Sequence, residues 1–209
     1  MKVRRFARQL QYSTMALALL GVVSLPALAQ DSQSHMLTPQ TGEADQKSKA
    51  GALVRMVRHA TDRFQDVEVA ELAKYELLFG CVSGDSAGAM GLHYVNLPLL
   101  DKVNQSGVMD VNHPQIVIYE PTADGHLRLT GADYLVYAEA WDKIHPDGPP
   151  QLMGQLFHLF DFPNRFGLPA FYSLHVWAWK DNPNGAFVNW HPNVSCEQFT
   201  GKDDPDPRH

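Results

Sequence analysis

Two histidines in strand-like stretches have the side chains and the placement of metal ligands. His93 lies in MGLHYVN and His175 lies in FYSLHVWAWK, and each shares a face with the residues two positions away. Glu120 ends a third stretch, QIVIYEP. If the sheet that contains these stretches curls, one concave face brings His93, His175 and Glu120 together. Two imidazoles and one carboxylate are a common ligand set for a divalent transition metal.

The face that carries His175 also carries two tryptophans, which leaves other interpretations open. Alternation places Trp177 and Trp179 beside His175, where they could form the stacking walls of a metal-free pocket for a small ligand. A strand histidine among aromatic residues can also be a packed core residue. The spacings that make a metal site specific, such as H-x-H, H-E-x-x-H and C-x-x-C, are absent from the sequence. A metal site, a small-ligand pocket and a structural role therefore all remain open.

A serine in the sequence G-D-S-A-G matches the nucleophile turn of α/β-hydrolases. The candidate partners downstream are Asp133 or Asp142 as the acid and His175 or His191 as the base. The hydrolase turn needs a helix directly after the serine, whereas the residues that follow here, AMGLHYVNLP, predict a strand. We therefore predict a glycine-rich turn and assign no catalytic residue, and keep a serine hydrolase that uses Ser86 as an alternative.

The first 29 residues have the pattern of a cleaved signal peptide. Four basic residues precede the apolar run TMALALLGVVSL, and Ala27-Leu28-Ala29 supplies the small residues that signal peptidase needs. An apolar run of about a dozen residues is too short to span a bilayer of roughly 30 Å. This pattern predicts a periplasmic or secreted protein. We expect four segments, which are a signal peptide at 1–29, a flexible leader at 30–44, a single domain at 45–200 and a disordered tail at 201–209.

The charge of the chain argues against nucleic acid as a partner. The net charge is −6, and loss of the four basic residues of the signal peptide lowers it to −10. An acidic surface repels phosphate backbones and anionic membranes. After signal cleavage we expect no membrane partner and no nucleic acid, and a small molecule or a metal ion as the ligand. The sequence does not predict an oligomeric state.

The two cysteines predict one disulfide bond. Export places Cys81 and Cys196 in an oxidising compartment, where an even count favours a bridge, and two cysteines allow one pairing only. The bridge closes a loop of more than a hundred residues, which stabilises the fold by up to about 4–5 kcal/mol in the chain-entropy model.

The pattern of apolar residues predicts an α+β fold, with two N-terminal helices followed by an antiparallel β-sheet that is curved or barrel-like. Apolar residues recur at helical spacing in 53–64, and DVEVAELAKYELLF predicts a second helix that ends at Gly80. Beyond Gly80, short β-branched and aromatic runs alternate with turn residues. We predict strands at MGLHYVN, at QIVIYEP, from His126, at 132–140 and at FYSLHVWAWK. Asp124-Gly125 predicts a tight turn, and AFVNW a hairpin partner for the last strand.

Three of these stretches together resemble a group of uncharacterised exported bacterial proteins with a domain of unknown function. The shared features are an M-G-x-H-Y strand, a Y-E-P turn before a D-G hairpin, and a C-terminal L-H-V-W strand. The resemblance spans most of 80–196. It implies a small extracytoplasmic domain, and it carries no reaction or ligand.

Three function classes follow from the sequence. The leading hypothesis is a module that binds a small ligand or a divalent metal through His93 and His175. The second is an enzyme, as a metal-dependent, cupin-like activity in preference to a serine hydrolase. The third is a structural or interaction protein without a pocket. The sequence does not decide whether the protein is an enzyme, and the cofactor stays unknown beyond a divalent transition metal as one candidate.

Overall fold

A computed structural model describes residues 40–84 and 86–201. The predicted signal peptide, most of the predicted leader and all but the first residue of the predicted tail lie outside the described residues. The helices are α1 (Gln40–Thr61), continued by a 3-10 turn (Asp62–Gln65), then α2 (Val67–Leu72), α3 (Leu97–Ser106) and α4 (Ala138–Ile144). The strands are β1 (Glu76–Gly84), β2 (Gly88–Val95), β3 (Ile116–Pro121), β4 (Leu127–Tyr137), β5 (Gln151–Leu152), β6 (Gln155–Leu156), β7 (His158–Phe160) and β8 (Phe171–Val176).

Six of the strands form one curled antiparallel sheet, in the order β1-β2-β3-β4-β8-β7, and β5 and β6 pair separately. The α+β class, the N-terminal helices and the curved antiparallel sheet are therefore confirmed. The predicted central strand QIVIYEP is β3, which lies between β2 and β4. The predicted tight turn at Asp124-Gly125 connects β3 and β4, where Gly125 N donates to Thr122 O.

The helices cover one face of the sheet. Leu53 and Val57 of α1 are fully buried against Tyr134 and Leu174, and Phe64 packs with residues of β2 and β3. The side chains of residues 42–49 in α1 are exposed, so the buried contacts of this helix come from its second half. None of the helices in 40–84 and 86–201 combines the length and the apolar character that a membrane span requires.

Four local predictions were wrong. The second helix ends at Leu72 and not at Gly80, because Lys74 turns the chain (φ 69°) and ELLFG pairs with β2 as strand β1. Helix α3 follows β2, where we predicted only strand and turn. The predicted strand at 132–140 ends at Tyr137, after which α4 begins.

The signals for α3 were present in the sequence. Asn96 accepts from Leu99 N as an N-cap, Pro98 lies in the first turn, and Gly107 ends the helix in the left-handed conformation. The predicted hairpin partner AFVNW is also wrong, because it forms no strand. It contributes one backbone bond, in which Trp177 N donates to Ala186 O, and the chain then bridges Ala89 through His191.

Candidate metal centre

Three polar residues lie together on the face of the sheet opposite the helices. Asp133 of β4 pairs directly with His175 of β8. His93 lies on β2, which is separated from β4 by β3, and it pairs with Ile118 of β3. Because side chains alternate along each strand, the sheet presents all three on one face, and its curl brings β2 towards β4.

The carboxylate of Asp133 lies between the two imidazoles. Its Oδ2 is 3.7 Å from Nε2 of His93, and its Oδ1 is 3.4 Å from Nδ1 of His175. One ligand atom from each of the three residues can be chosen so that all lie within 4.8 Å of one another. The ring centroids of His93 and His175 are 6.5 Å apart. The sheet thus brings together the two histidines that the sequence singles out, with Asp133 as the acid between them.

All three residues are buried, and part of their hydrogen-bonding capacity is unused. The relative exposure is 4% for His93, 3% for Asp133 and 0% for His175. Oδ1 of Asp133 and both ring nitrogens of His175 have no hydrogen-bond partner among the described residues. A buried polar group without a hydrogen bond costs about 1–3 kcal/mol, so such a group indicates an ion or a water between its neighbours.

A backbone carbonyl fixes the proton on the His93 ring. Nδ1 of His93 lies 3.0 Å from Gly91 O, which can only accept, so Nδ1 carries a proton and Nε2 is the ring nitrogen that faces Asp133. This is the usual arrangement of a histidine ligand, whose other nitrogen donates to a carbonyl. Gly91 has φ 101°, and a Cβ there would lie 2.4 Å from Tyr119 O. Glycine is therefore required at the residue that holds the ring.

Burial shifts the proton equilibria of the group in opposite directions. Burial raises the pKa of Asp133 to about 7, and the nearby Ser173 hydroxyl acts in the opposite direction. Burial also holds the pKa of His175 well below its ordinary value, assisted by the positive charge that His93 and His191 can carry. Both shifts express the same cost, because a charge in this dry environment is unfavourable unless a counter-charge accompanies it.

The separations approach those around a small divalent cation with tetrahedral ligands. Metal–ligand bonds of about 2.0–2.1 Å at tetrahedral angles place neighbouring ligand atoms about 3.3 Å apart. The distances of 3.4 and 3.7 Å involve different oxygens of Asp133, and with one ligand atom from each residue the three atoms lie within 4.8 Å of one another, so an ion would draw the side chains closer together. The ligand types also fit, because two neutral imidazoles and one carboxylate match zinc and its first-row neighbours.

A small cavity borders the group. It has a volume of about 20 Å³, which is room for a single water molecule or a molecule of similar size. His93, Asp133 and Ser173 form its polar end, and the rest of the wall is apolar. His175 is not part of the cavity wall. The remaining lining residues are Phe79, Met90, Ile116, Leu135, Phe160, Phe166, Leu168 and Phe171.

Glu120, the carboxylate that the sequence placed with the histidines, has other partners. Its side chain is 5% exposed, with Lys180 Nζ 2.5 Å from Oε2 and Arg128 bound to Oε1. Arg128 is the residue opposite Glu120 in the pairing of β3 with β4. Two cations thus neutralise this carboxylate, and it does not belong to the histidine group.

The two tryptophans separate onto opposite sides of the sheet. Trp177 is buried, with its ring 4.3 Å from that of His175, and its Nε1 donates to Val188 O. Trp179 lies on the helix side, where its Nε1 donates to Thr61 Oγ1. Strand alternation, which placed both on one face, stops applying because β8 ends at Val176. The two rings therefore do not form the two walls of one pocket.

His191 is a structural histidine. Its Nε2 donates to Asp181 O, and its Nδ1 accepts from Asn193 N. Both ring nitrogens are used within the C-terminal segment. The same segment is bonded to Ala89 of β2 by backbone hydrogen bonds in both directions.

The serine turn does not form a nucleophile elbow. Ser86 is exposed in the turn between β1 and β2, and the chain after it continues as strand β2 and not as a helix. Asp142 accepts from the Tyr172 hydroxyl, while Asp133 and His175 are buried in the group described above. The strand–turn–helix context of that motif is therefore missing.

The predicted disulfide is present. Cys81 of β1 is bonded to Cys196, with 5.7 Å between their Cα atoms. It joins the C-terminal segment to the edge of the sheet near the serine turn. A disulfide is compatible with an oxidising, extracytoplasmic compartment.

From the sequence, Asp133 is a candidate only as a partner for Ser86 and not as a member of the histidine group. A usable signal existed, because Asp133 is a lone acid in the apolar strand run GADYLVY. A charged residue inside such a strand is rare unless it is paired or bound to a metal.

Comparison with known proteins gives no matching family model, no matching curated protein and no matching solved structure. The chemistry of the site itself must therefore carry the functional argument.

Proposed function

We propose that this protein binds one divalent transition metal ion, such as zinc, between His93, Asp133 and His175. The single observation that carries the proposal is the unsatisfied pair at its centre. Oδ1 of Asp133 and both ring nitrogens of His175 are buried without a hydrogen bond among the described residues, and the two side chains are 3.4 Å apart. A cation between them would satisfy the carboxylate charge and one imidazole lone pair at the same time.

The proton arrangement supports the same proposal. Gly91 O holds Nδ1 of His93, so Nε2 is the ring nitrogen that an ion beside the Asp133 carboxylate would contact. The low pKa of His175 keeps that imidazole neutral, which is the form that binds a metal.

Export is the second part of the proposal. The signal-peptide pattern of residues 1–29 and the resemblance to exported bacterial proteins both favour a periplasmic or secreted protein. The Cys81–Cys196 bond adds support, because disulfides persist in oxidising compartments. Mass spectrometry of the protein from a periplasmic extract, with an N-terminus near Gln30, tests this part. Recovery of the full-length chain from the cytoplasm would contradict it.

Metal titration tests the site. Zinc should bind the chelated wild-type protein at one equivalent, and Asp133→Asn and His175→Gln should each weaken binding at least tenfold. The matched control is Asp110→Asn, because Asp110 and His113 form an exposed Asp–His pair 2.7 Å apart that should not matter. Less than a tenth of an equivalent bound to a folded wild type, or equal loss in the control, would contradict the proposal.

A structural role is the competing outcome of this experiment. In that case one water would occupy the 20 Å³ cavity and contact its polar end, which is formed by His93, Asp133 and Ser173, as buried waters often do. The folded protein would then bind no metal, and Asp133→Asn would leave its response to zinc unchanged.

A further inference from the structure

A cluster of phenylalanines limits what can approach the proposed ion. Phe160 stacks on Phe171, with ring centroids 4.8 Å apart, and Phe166 contacts Phe79 and Phe171 edge-on at 5.6 and 6.0 Å. These four rings, here called the phenylalanine cage, line the apolar wall of the cavity beside His93 and Asp133. Because each ring contacts at least one other, the cavity cannot widen unless the rings move.

One asparagine holds the segment that carries part of the cage. Oδ1 of Asn164 accepts from Phe166 N and Leu168 N, and its Nδ2 donates to Asp161 O and Leu168 O. These four bonds fix the loop between β7 and β8, which places Phe166 and Leu168 over the cavity. The loop therefore has a fixed conformation beside the cavity.

The charge at the site would come from the ion itself. A divalent cation held by one carboxylate and two imidazoles keeps a net charge of +1, so the lining of the cavity does not select by charge, and its size sets the limit. An ion that touches all three ligands would lie at the wall of the cavity, because His175 does not line it. The volume of about 20 Å³ then remains for one further ligand at the ion.

We infer that the open coordination position of the proposed metal takes a molecule or ion of one or two non-hydrogen atoms, such as water, hydroxide or a diatomic gas, and excludes larger ligands. This inference rests on the proposed metal site. The size limit follows from the phenylalanine cage and from the volume of the cavity. The reaction class that suits such a site is one that uses a small molecule such as water, and phosphoryl or acyl substrates are too large for it.

A cobalt-loaded protein tests both the metal site and the size limit at its open coordination position. Co²⁺ bound to the chelated wild type should give the visible absorption of a four-coordinate ion, which reports the metal site itself. Imidazole, a ligand of five heavy atoms, and azide, a ligand of three, both exceed the proposed size limit and are then added at increasing concentration. We expect neither to change the spectrum of the wild type at 10 mM, whereas nitric oxide should bind the Fe²⁺-loaded protein.

Variants of the cage provide the second arm. Phe166→Ala should bind imidazole at least tenfold more tightly than the wild type. Asn164→Ala removes the hydrogen bonds that hold the loop but deletes none of the four rings, so it should show a smaller gain. Leu159→Ala, at an exposed position beside the cage, is the matched control and should behave as the wild type. Far-UV circular dichroism and the cobalt spectrum identify any variant that has lost its fold.

The outcomes separate the two claims. If no cobalt spectrum appears in the folded wild type, the proposed function fails and this inference fails with it. If cobalt binds and imidazole or azide binds the wild type as tightly as Phe166→Ala, the metal site stands and the cage has no selective role. Selective nitric oxide binding that is relaxed by Phe166→Ala supports the inference.

Discussion

Replacing Asp133 by asparagine should change the pH dependence of stability in a defined direction. In the chelated protein, burial raises the pKa of Asp133 from 3.8 to about 7. The folded state therefore keeps the Asp133 proton at pH values where the unfolded chain has lost it. The stability from this proton is complete below about pH 4, and it is lost as the pH rises through 7. Asparagine carries no titratable proton, so the variant lacks this loss.

The magnitude follows from the pKa shift. A shift from 3.8 to about 7 at 1.36 kcal/mol per unit corresponds to roughly 4 kcal/mol. The difference in unfolding free energy between Asp133→Asn and wild type should therefore rise by roughly 4 kcal/mol from pH 4 to pH 8. The cost of burying the amide itself is present at both pH values and cancels. The lowered pKa of His175 acts in the opposite direction below pH 6.5, but it acts in both proteins.

The assay is urea unfolding of both proteins in EDTA at intervals from pH 4 to pH 8. A second series at pH 8 contains zinc at a hundredfold excess over its dissociation constant, which should stabilise the wild type by about 2.7 kcal/mol and the variant by much less. Asp110→Asn is the control. Hydrogen bonds from Asn112 and His113 lower the pKa of Asp110, so its removal should give no comparable rise.

A rise below about 1 kcal/mol between pH 4 and pH 8 would refute the reasoning, because it would mean that the Asp133 carboxylate is not a costly buried charge. Equal stabilisation of both proteins by zinc would refute the ligand assignment separately.

Three further predictions concern the residues that support the site. Gly91→Ala should lower the zinc affinity and cost about 2 kcal/mol or more of unfolding free energy, because its Cβ would lie 2.4 Å from Tyr119 O at φ 101°; zinc titration with urea unfolding checks this, and an unchanged affinity would contradict it. The double variant of Cys81 and Cys196 to serine should lose about 3–5 kcal/mol, given the sequence separation of 115 residues, and a loss below 1 kcal/mol by urea unfolding would count against the chain-entropy account. Glu120→Gln should cost about 2 kcal/mol because it weakens a buried ion pair, and should bind a full equivalent of zinc; reduced binding would return Glu120 to the ligand set.

The sequence predicted the correct type of element where helical spacing and strand alternation gave clearly different patterns. QIVIYEP became the central strand because both of its faces are apolar, as both sides of the sheet are covered. The stretch YELLF satisfied helical spacing and also strand pairing, and local periodicity alone cannot choose between them. The pairing of β1 with β2 decided it, and that pairing depends on residues far along the chain.

Local sequence patterns also could not identify the acidic residue of the histidine group. Glu120 and Asp133 are both acidic residues in predicted strands, and the sequence offered no way to rank them. Glu120 lies opposite Arg128, so its charge is already balanced, whereas Asp133 lies opposite His175 and close to His93. Which cross-strand neighbour each acid meets depends on strand order and register, and these are set by the packing of the whole sheet.

The sequence by itself determined the features that arise from residue type and near-neighbour geometry. These are the α+β class, the tight turn after β3, the two ligand-type histidines, and the disulfide, since two cysteines can pair in one way only. Only the tertiary structure decided that His93 and His175 share Asp133, that Trp179 turns to the helix side, and that four phenylalanines line the cavity. The reason is physical: alternation along a strand is a local property of the backbone, whereas contact between strands depends on the curl and register of the complete sheet.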